Sequence, residues 1–297
     1  MNNQSISQIS VNKILVPIDF SEISIKALEY AAVIARQANA EILLLHVYES
    51  YSQNTNLDMV VDFPEIIEKG IQNKMSEIKE KNQYLKDITI NSKVAVGKIH
   101  AQIECMARNE NVKLIVMATH GVSGITNIDK YIIGSNAYRT IQSAPSPIIT
   151  MREEPWKKSF KDILLPLDST DESTEKLDIA IGWAKFFGST IHLLAITAFF
   201  EDMLGSAKDV ELKVLEVEIK LNQNNIPHTS HIVRNHAASQ SVIDHAAKVN
   251  ADLIIIVTGQ ESKWNEMLFG SSARNLISES TIPVLSVNTK MRESFSM

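Results

Sequence analysis

The sequence predicts an α/β protein made of two tandem doubly wound domains, each with its own five-stranded parallel sheet. Three observations carry that expectation: an internal repeat, apolar runs that continue without alternation, and amphipathic stretches of helical period between those runs. The repeat opens both halves. Lys13-Ile-Leu-Val-Pro-Ile-Asp-Phe-Ser21 matches Asp162-Ile-Leu-Leu-Pro-Leu-Asp-Ser-Thr170 at an offset of 149, and Glu41-Ile-Leu-Leu-Leu-His-Val47 matches Thr190-Ile-His-Leu-Leu-Ala-Ile196 at the same offset. Leu114-Ile-Val-Met-Ala-Thr119 then matches Leu253-Ile-Ile-Ile-Val-Thr258 at 139, and Gly134-Ser135 with Ser146-Pro147 matches Gly270-Ser271 with Ile282-Pro283 at 136. The second copy is therefore shorter, by ten residues in its middle and three more before its last helix.

Continuous apolar runs mark strands buried on both faces, as in a parallel sheet covered by helices. In the first half they place strands at 13–18, 41–47, 90–96, 114–118 and 147–151, with helices at 21–38, 62–83, 99–109 and 135–142. In the second half strands fall at 162–167, 190–198, 229–233, 252–258 and 283–287, with helices at 172–187, 207–223, 239–249 and 271–279. Strand, helix and strand in this order imply right-handed crossovers. Ser21 and Ser135 stand where helix N-caps are expected. Residues 152–160, with two Glu, a Pro and two Lys, read as a connector and divide the chain into domains at 1–152 and 160–297.

Composition narrows the function classes. The 297 residues suffice for two units of about 150 residues, a usual domain size. Hydrophobic residues at 44% and charged residues at 22% indicate a folding chain, not a disordered one. A formal charge of −6, without a Lys/Arg-rich window, argues against nucleic acid as a partner. The N-terminus lacks the basic and apolar regions of a signal peptide and no long apolar stretch occurs, so no membrane partner and a cytoplasmic location are expected. The single cysteine, Cys105, fits a reducing compartment and is expected as a buried, inert thiol on the apolar side of its helix. His228, His231, His236 and His245 gather late in the chain, but His228 and His231 fall on opposite faces of a strand, so packing or solvated histidines are expected instead of a metal site. The mixed charges from Gln72 to Lys81 and from Glu211 to Lys220 read as solvated helix faces.

Ligands of a parallel sheet bind beyond the carboxyl ends of its strands, where the strand order reverses. Directly after the strand at 114–118 comes Thr119-His120-Gly121-Val-Ser-Gly124, and nine residues later Gly134-Ser135-Asn136 opens a helix. Glycines let backbone approach a ligand closely, and a helix start presents unpaired N–H groups and a positive dipole end, so together they make a cradle for phosphate.

Glycine, two residues, glycine, nine residues, then glycine and serine resembles the ATP-binding signature of the universal stress protein family, matched by Gly121, Gly124, Gly134 and Ser135. Val16-Pro17-Ile18-Asp19-Phe20-Ser21 is similar to that family's first strand and turn, His46-Val47 to the end of its second strand, and Val96-Gly97 to a further wall of its pocket. The resemblance spans nearly the whole chain as two copies. It implies a Rossmann-like fold akin to the adenine nucleotide alpha hydrolases, ATP as the ligand, alone or with magnesium, and a nucleotide-dependent role in stress response or signalling. It further implies that Pro17, Ile18 and Asp19 meet the nucleoside, that Val47 holds the base through its main chain, and that Gly97 lets backbone approach. Thr119, His120, Gly121 and Gly124 would wrap the phosphates, with Gly134, Ser135 and the amide of Asn136 binding them at the helix start. Three residues keep a second reading: Asp19 also suits a helix cap, Val47 also suits an ordinary strand position, and His120 either neutralises a phosphate or sits on the rim.

Domains of the family pair through the edge strand after the last helix. Ser146 to Met151 and Ile282 to Val287 are therefore expected to join the halves as an internal pseudo-dimer, with a homodimer as a further option, since an unpaired apolar edge is a liability. The second half departs from the pattern. Asp168 is kept, but the stretch from Thr258 to Gly270 lacks the glycine pair and carries Glu261 and Glu266, while Asn235-His236 replaces the Gly97 position. ATP is thus expected in the first half alone. No P-loop, nucleophile elbow or zinc-binding HExxH helix occurs, so no catalytic residue is assigned. A slow ATP-hydrolysing or adenylyl-transferring enzyme and a structural interaction protein with empty pockets are the alternatives.

Overall fold

Ile, Leu and Val crowd every central strand because both faces of the sheet are covered. The computed structural model describes residues 11–49, 63–120, 133–152, 157–167, 175–197, 206–234, 238–258 and 271–288. In the first repeat these form β1 (Lys13–Pro17), α1 (Glu22–Ala38), β2 (Glu41–Tyr48), α2 (Phe63–Lys81), a short 3-10 turn (Gln83–Leu85), β3 (Ile90–Val96), α3 (Ile99–Asn109), β4 (Leu114–Ala118), α4 (Ser135–Ser143) and β5 (Ile148–Met151). The second repeat gives β6 (Asp162–Leu167), α5 (Glu175–Phe187), β7 (Thr190–Thr197), α6 (Ser206–Gln223), β8 (His228–Arg234), α7 (Ala238–Lys248), β9 (Leu253–Thr258), α8 (Ser271–Glu279) and β10 (Val284–Asn288).

All ten strands belong to one sheet, in the order β3-β2-β1-β4-β5-β10-β9-β6-β7-β8. Each repeat contributes five parallel strands, and the two sets meet where β5 and β10 pair antiparallel, Ile149 opposite Leu285. Within the first repeat the order reverses between β1 and β4, which pair through Ile14 and Leu114. Helices α1, α2, α5 and α6 pack on one face of the sheet and α3, α4, α7 and α8 on the other, over two buried clusters that each draw on both repeats. The base of the first repeat is tied by Lys13, whose Nζ lies 2.7 Å from Glu41 and 3.0 Å from Glu110. At the matching position of the second repeat Asp162 instead accepts from His192 Nε2 at 3.0 Å. No helix among the described residues is long and apolar enough to cross a membrane.

Two sequence expectations change. Ser21 caps α1, its Oγ accepting from Ser24 N at 3.3 Å, but Ser135 is the first residue of α4 and Gly134 takes the cap position without a side-chain bond. The Gly134 N–H is committed to Thr119 O at 3.0 Å, and a Cβ there would stand 3.1 Å from that same carbonyl, so only a residue without a side chain fits unshifted. Cys105 is exposed, not buried: Ile103 and Ala107 take the core-facing positions of α3, and the residue midway between them points outward. The connector also contributes to the core. Its last residue, Phe160, is buried and packs against Tyr30 of α1 and against Trp183 and Phe187 of α5.

Candidate functional site

The reversal of strand order leaves a gap between the carboxyl ends of β1 and β4, and a cavity of about 320 Å³ fills it, a size within the usual range for small-molecule pockets. One wall is apolar. Ile18 follows β1, Leu45 and Val47 lie in the second half of β2, Met117 is the next-to-last residue of β4, and Ile99 and Ile103 come from α3. Leu45 arrives because the parallel register sets it beside Pro17, the last residue of β1. The polar part of the lining is made by Asp19, Thr119, His120, Ser135 and Asn136, with Gly134 beside the last two.

Asp19 sits in a fixed turn. Its Oδ1 accepts from Ser21 N at 3.0 Å and from Ser21 Oγ at 2.5 Å, so the carboxylate supports the helix cap from outside instead of being the cap itself. The next residue, Phe20, holds a left-handed φ of 67°, costly for a residue with a bulky side chain. Its ring stacks on His46 at 4.7 Å between centroids, and the Lys74 ammonium lies 5.4 Å from the ring centre. His46 in turn donates from Nδ1 to the Ile18 carbonyl at 2.7 Å, which fixes its proton on that nitrogen. This small network pins the turn that carries Asp19.

The far wall is pinned as firmly. Thr119 is buried; its N–H and Oγ1 both donate to Met151 O, at 2.9 and 3.2 Å, tying the end of β4 to β5. Its Oγ1 also lies 2.9 Å from His120 Nδ1. Gly134 N reaches Thr119 O, so the start of α4 is drawn over the end of β4. The first-turn N–H groups of a helix have no carbonyl partner inside it, and those of α4 belong to residues that line the cavity.

Of the residues singled out from sequence, Pro17, Ile18, Asp19, Val47, Thr119, His120, Gly134, Ser135 and Asn136 all line this one cavity. Gly97 is not among its walls. Its φ is 132°, its N–H donates to Tyr48 O at 3.0 Å, and Ile99 and Ile103 occupy the wall it was expected to form. Gly121, Gly124, Asp168 and the stretch from Gly259 to Gly270 lie outside the described residues. Ser24, Leu45, Ile99, Ile103 and Met117 also line the cavity and were not singled out beforehand; the i, i+4 spacing of Ile99 and Ile103 was the available signal. Among the described residues no group of three or more His, Cys, Asp or Glu is placed to hold a metal ion.

The model of the universal stress protein family matches residues 10–152 and again 159–288. The chain belongs to the universal stress protein family. Its similarity to universal stress protein YxiE of Bacillus subtilis is 30% identity over 149 residues, 48% of this chain and 99% of that one. With universal stress protein MJ0577 of Methanocaldococcus jannaschii it shares 27% identity over 157 residues, 48% of this chain and 95% of that one. A crystal structure of a universal stress protein from Archaeoglobus fulgidus superposes with a TM-score of 0.70 at 20% identity, covering 94% of this chain and 97% of that one. That structure shares the fold of both universal stress repeats.

Proposed function

We propose that the first domain, residues 1–152, binds an adenine nucleotide, ATP alone or with magnesium, in the cavity between β1 and β4. Occupancy would then act as a stress signal read by partners in the cytoplasm, without turnover being required. One observation carries the reading: an apolar wall, a single carboxylate and a helix start converge on one cavity at the switch point of the sheet. The donor set fits such a ligand. Ile18, Val47 and Met117 offer apolar contact to a base, Asp19 can accept from hydroxyl or amine hydrogens, and the α4 start suits phosphate. Gly134 supports the same reading, because any side chain there would press on Thr119 O and shift the helix start.

The second domain, residues 160–297, is the partner that does not bind ATP in this manner. Glu261 and Glu266 stand in the stretch where the first domain has its glycines, and two carboxylates oppose a triphosphate. Titration calorimetry of the full chain with ATP tests both statements. One site per chain is expected, with a dissociation constant on the order of micromolar. Gly134→Ala and, as a second variant that leaves the turn intact, Asn136→Glu should each weaken it by about tenfold or more, while Gly270→Ala leaves it unchanged. No binding, or two sites per chain, overturns the proposal.

A further inference from the structure

Helix α6 is apolar on two opposite sides. Val210, Val214, Val217 and Leu221 are buried against the sheet, a 4-3-4 spacing that keeps one face inward. Leu212, Leu215 and Ile219 recur with the same helical period on the opposite side, and they are 58%, 53% and 55% exposed. The glutamates and lysines from Glu211 to Lys220 are exposed or half-exposed, as their spacing suggests, but they flank this row instead of covering it. The internal repeat supplies the control. At an offset of 139 the buried positions of α6 align with Ile71, Met75 and Ile78 of α2, and its outer row aligns with Asn73, Ser76 and Glu80. Over these aligned positions the outer row is thus polar in one repeat and apolar in the other; the exposed Ile66 and Ile67 of α2 lie nearer its start, before the aligned row.

The charges beside the row are one-sided. Asp209 and Glu216 border it on one side and Glu211 and Glu218 on the other, the positions that flank the seam of a coiled coil. Glu218 also accepts from the Ser230 hydroxyl of β8. Lys208 begins the row, while Lys213 and Lys220 lie behind Asp209 and Glu216, nearer the sheet. A second copy of α6 would meet like charge in either direction: antiparallel pairing sets Glu211 against Glu218, and parallel pairing sets Glu211 against Glu216.

We propose that the outer face of α6 docks a basic amphipathic helix of another protein, with leucine-type side chains filling the Leu212, Leu215 and Ile219 row and Lys or Arg facing the four flanking carboxylates. The second repeat is thereby the partner-binding half. This surface is separate from the cavity between β1 and β4.

The full-length protein is titrated, with fluorescence anisotropy as the readout, against two labelled synthetic helices. Both carry a leucine stripe; one has lysines and the other glutamates at the flanking positions. The lysine-flanked helix should bind, weakening as salt rises, and the glutamate-flanked helix should not. Replacing the row by the α2 residues (Leu212→Asn, Leu215→Ser, Ile219→Glu) should cost about tenfold or more in affinity; circular dichroism checks that the variant keeps its fold. Glu211→Lys with Glu216→Lys, which leaves one carboxylate on each side of the row, should abolish most of the preference between the two helices. Equal binding of both helices, or unchanged affinity in the row variant, overturns the proposal. So does a wild-type dimer in sedimentation that the row variant abolishes, which would assign the face to a second copy.

Discussion

Gly97 and His245 show single residues set by what surrounds them. At a φ of 132° only glycine is at ease, and an added Cβ would meet Gln102 Nε2 at 3.1 Å. Gly97→Ala is expected to lower unfolding free energy by about 1–3 kcal/mol in urea titration, with nucleotide affinity little changed because Gly97 does not line the cavity. His245 is buried in the last turn of α7, with its ring stacked on His231 at 4.9 Å between centroids. Burial first, then the charges of His231, Lys248 and His192, holds its pKa below the ordinary 6.5. His192 itself is bonded to Asp162 and lies 2.8 Å from Thr229 Oγ1. An unfolded chain takes up a proton at His245 near pH 6.5 that the folded chain resists. The stability tied to neutral His245 is therefore full above that pH and falls as pH drops below it. Urea midpoints measured between pH 7.5 and 5.5 should fall less for His245→Asn than for wild type; parallel slopes would show that this histidine does not set the dependence.

At the scale of elements, the strands were legible because an unbroken apolar run has few other uses, and the repeat supplied each reading twice. The cap at Ser21 was legible for the same reason that Ser135 was not. Both serines stand at a helix start, but at α4 the cap position is taken by Gly134, whose backbone bond to Thr119 no residue pattern announces. The polar wall of the cavity showed itself through glycines and hydroxyls at strand ends. The apolar wall did not, because Leu45 and Met117 resemble core residues until the register of β1, β2 and β4 brings them to one gap. Phe160 was hidden in a connector by the charges around it. It joins α1 of one repeat to α5 of the other, so Phe160→Ala should cost about 3–5 kcal/mol and loosen both repeats together. Hydrogen exchange checks this, with α1 and α5 amides losing protection in parallel; a loss confined to α5 would show that the contact with Tyr30 carries no weight.

For the whole molecule, the junction of the repeats decides how it unfolds. Chains of this length commonly unfold in stages, one domain at a time. Here β5 and β10 form the middle of one sheet, with Ile148, Ile149, Met151, Val284, Leu285 and Val287 buried along the join. Three side-chain bonds reinforce it: Ile133 N donates to Ser278 Oγ at 3.3 Å, Asn288 Nδ2 donates to Gln142 O at 2.8 Å, and Thr150 Oγ1 donates to Val284 O at 3.3 Å. The first of these ends one residue before Gly134, so the second repeat helps to hold the helix start that lines the cavity. With β5 and β10 covering each other, neither repeat can lose its partner without exposing a row of apolar side chains and unpaired backbone. Calorimetry should therefore show one transition for the full chain, with the calorimetric and van't Hoff enthalpies in agreement. Leu285→Ala, which removes a side chain with no exposure, should shift that single transition downward, at a cost of about 2–5 kcal/mol. Two resolved peaks in the wild type would mean that each repeat is stable without the other and that the shared sheet is only an arrangement of convenience.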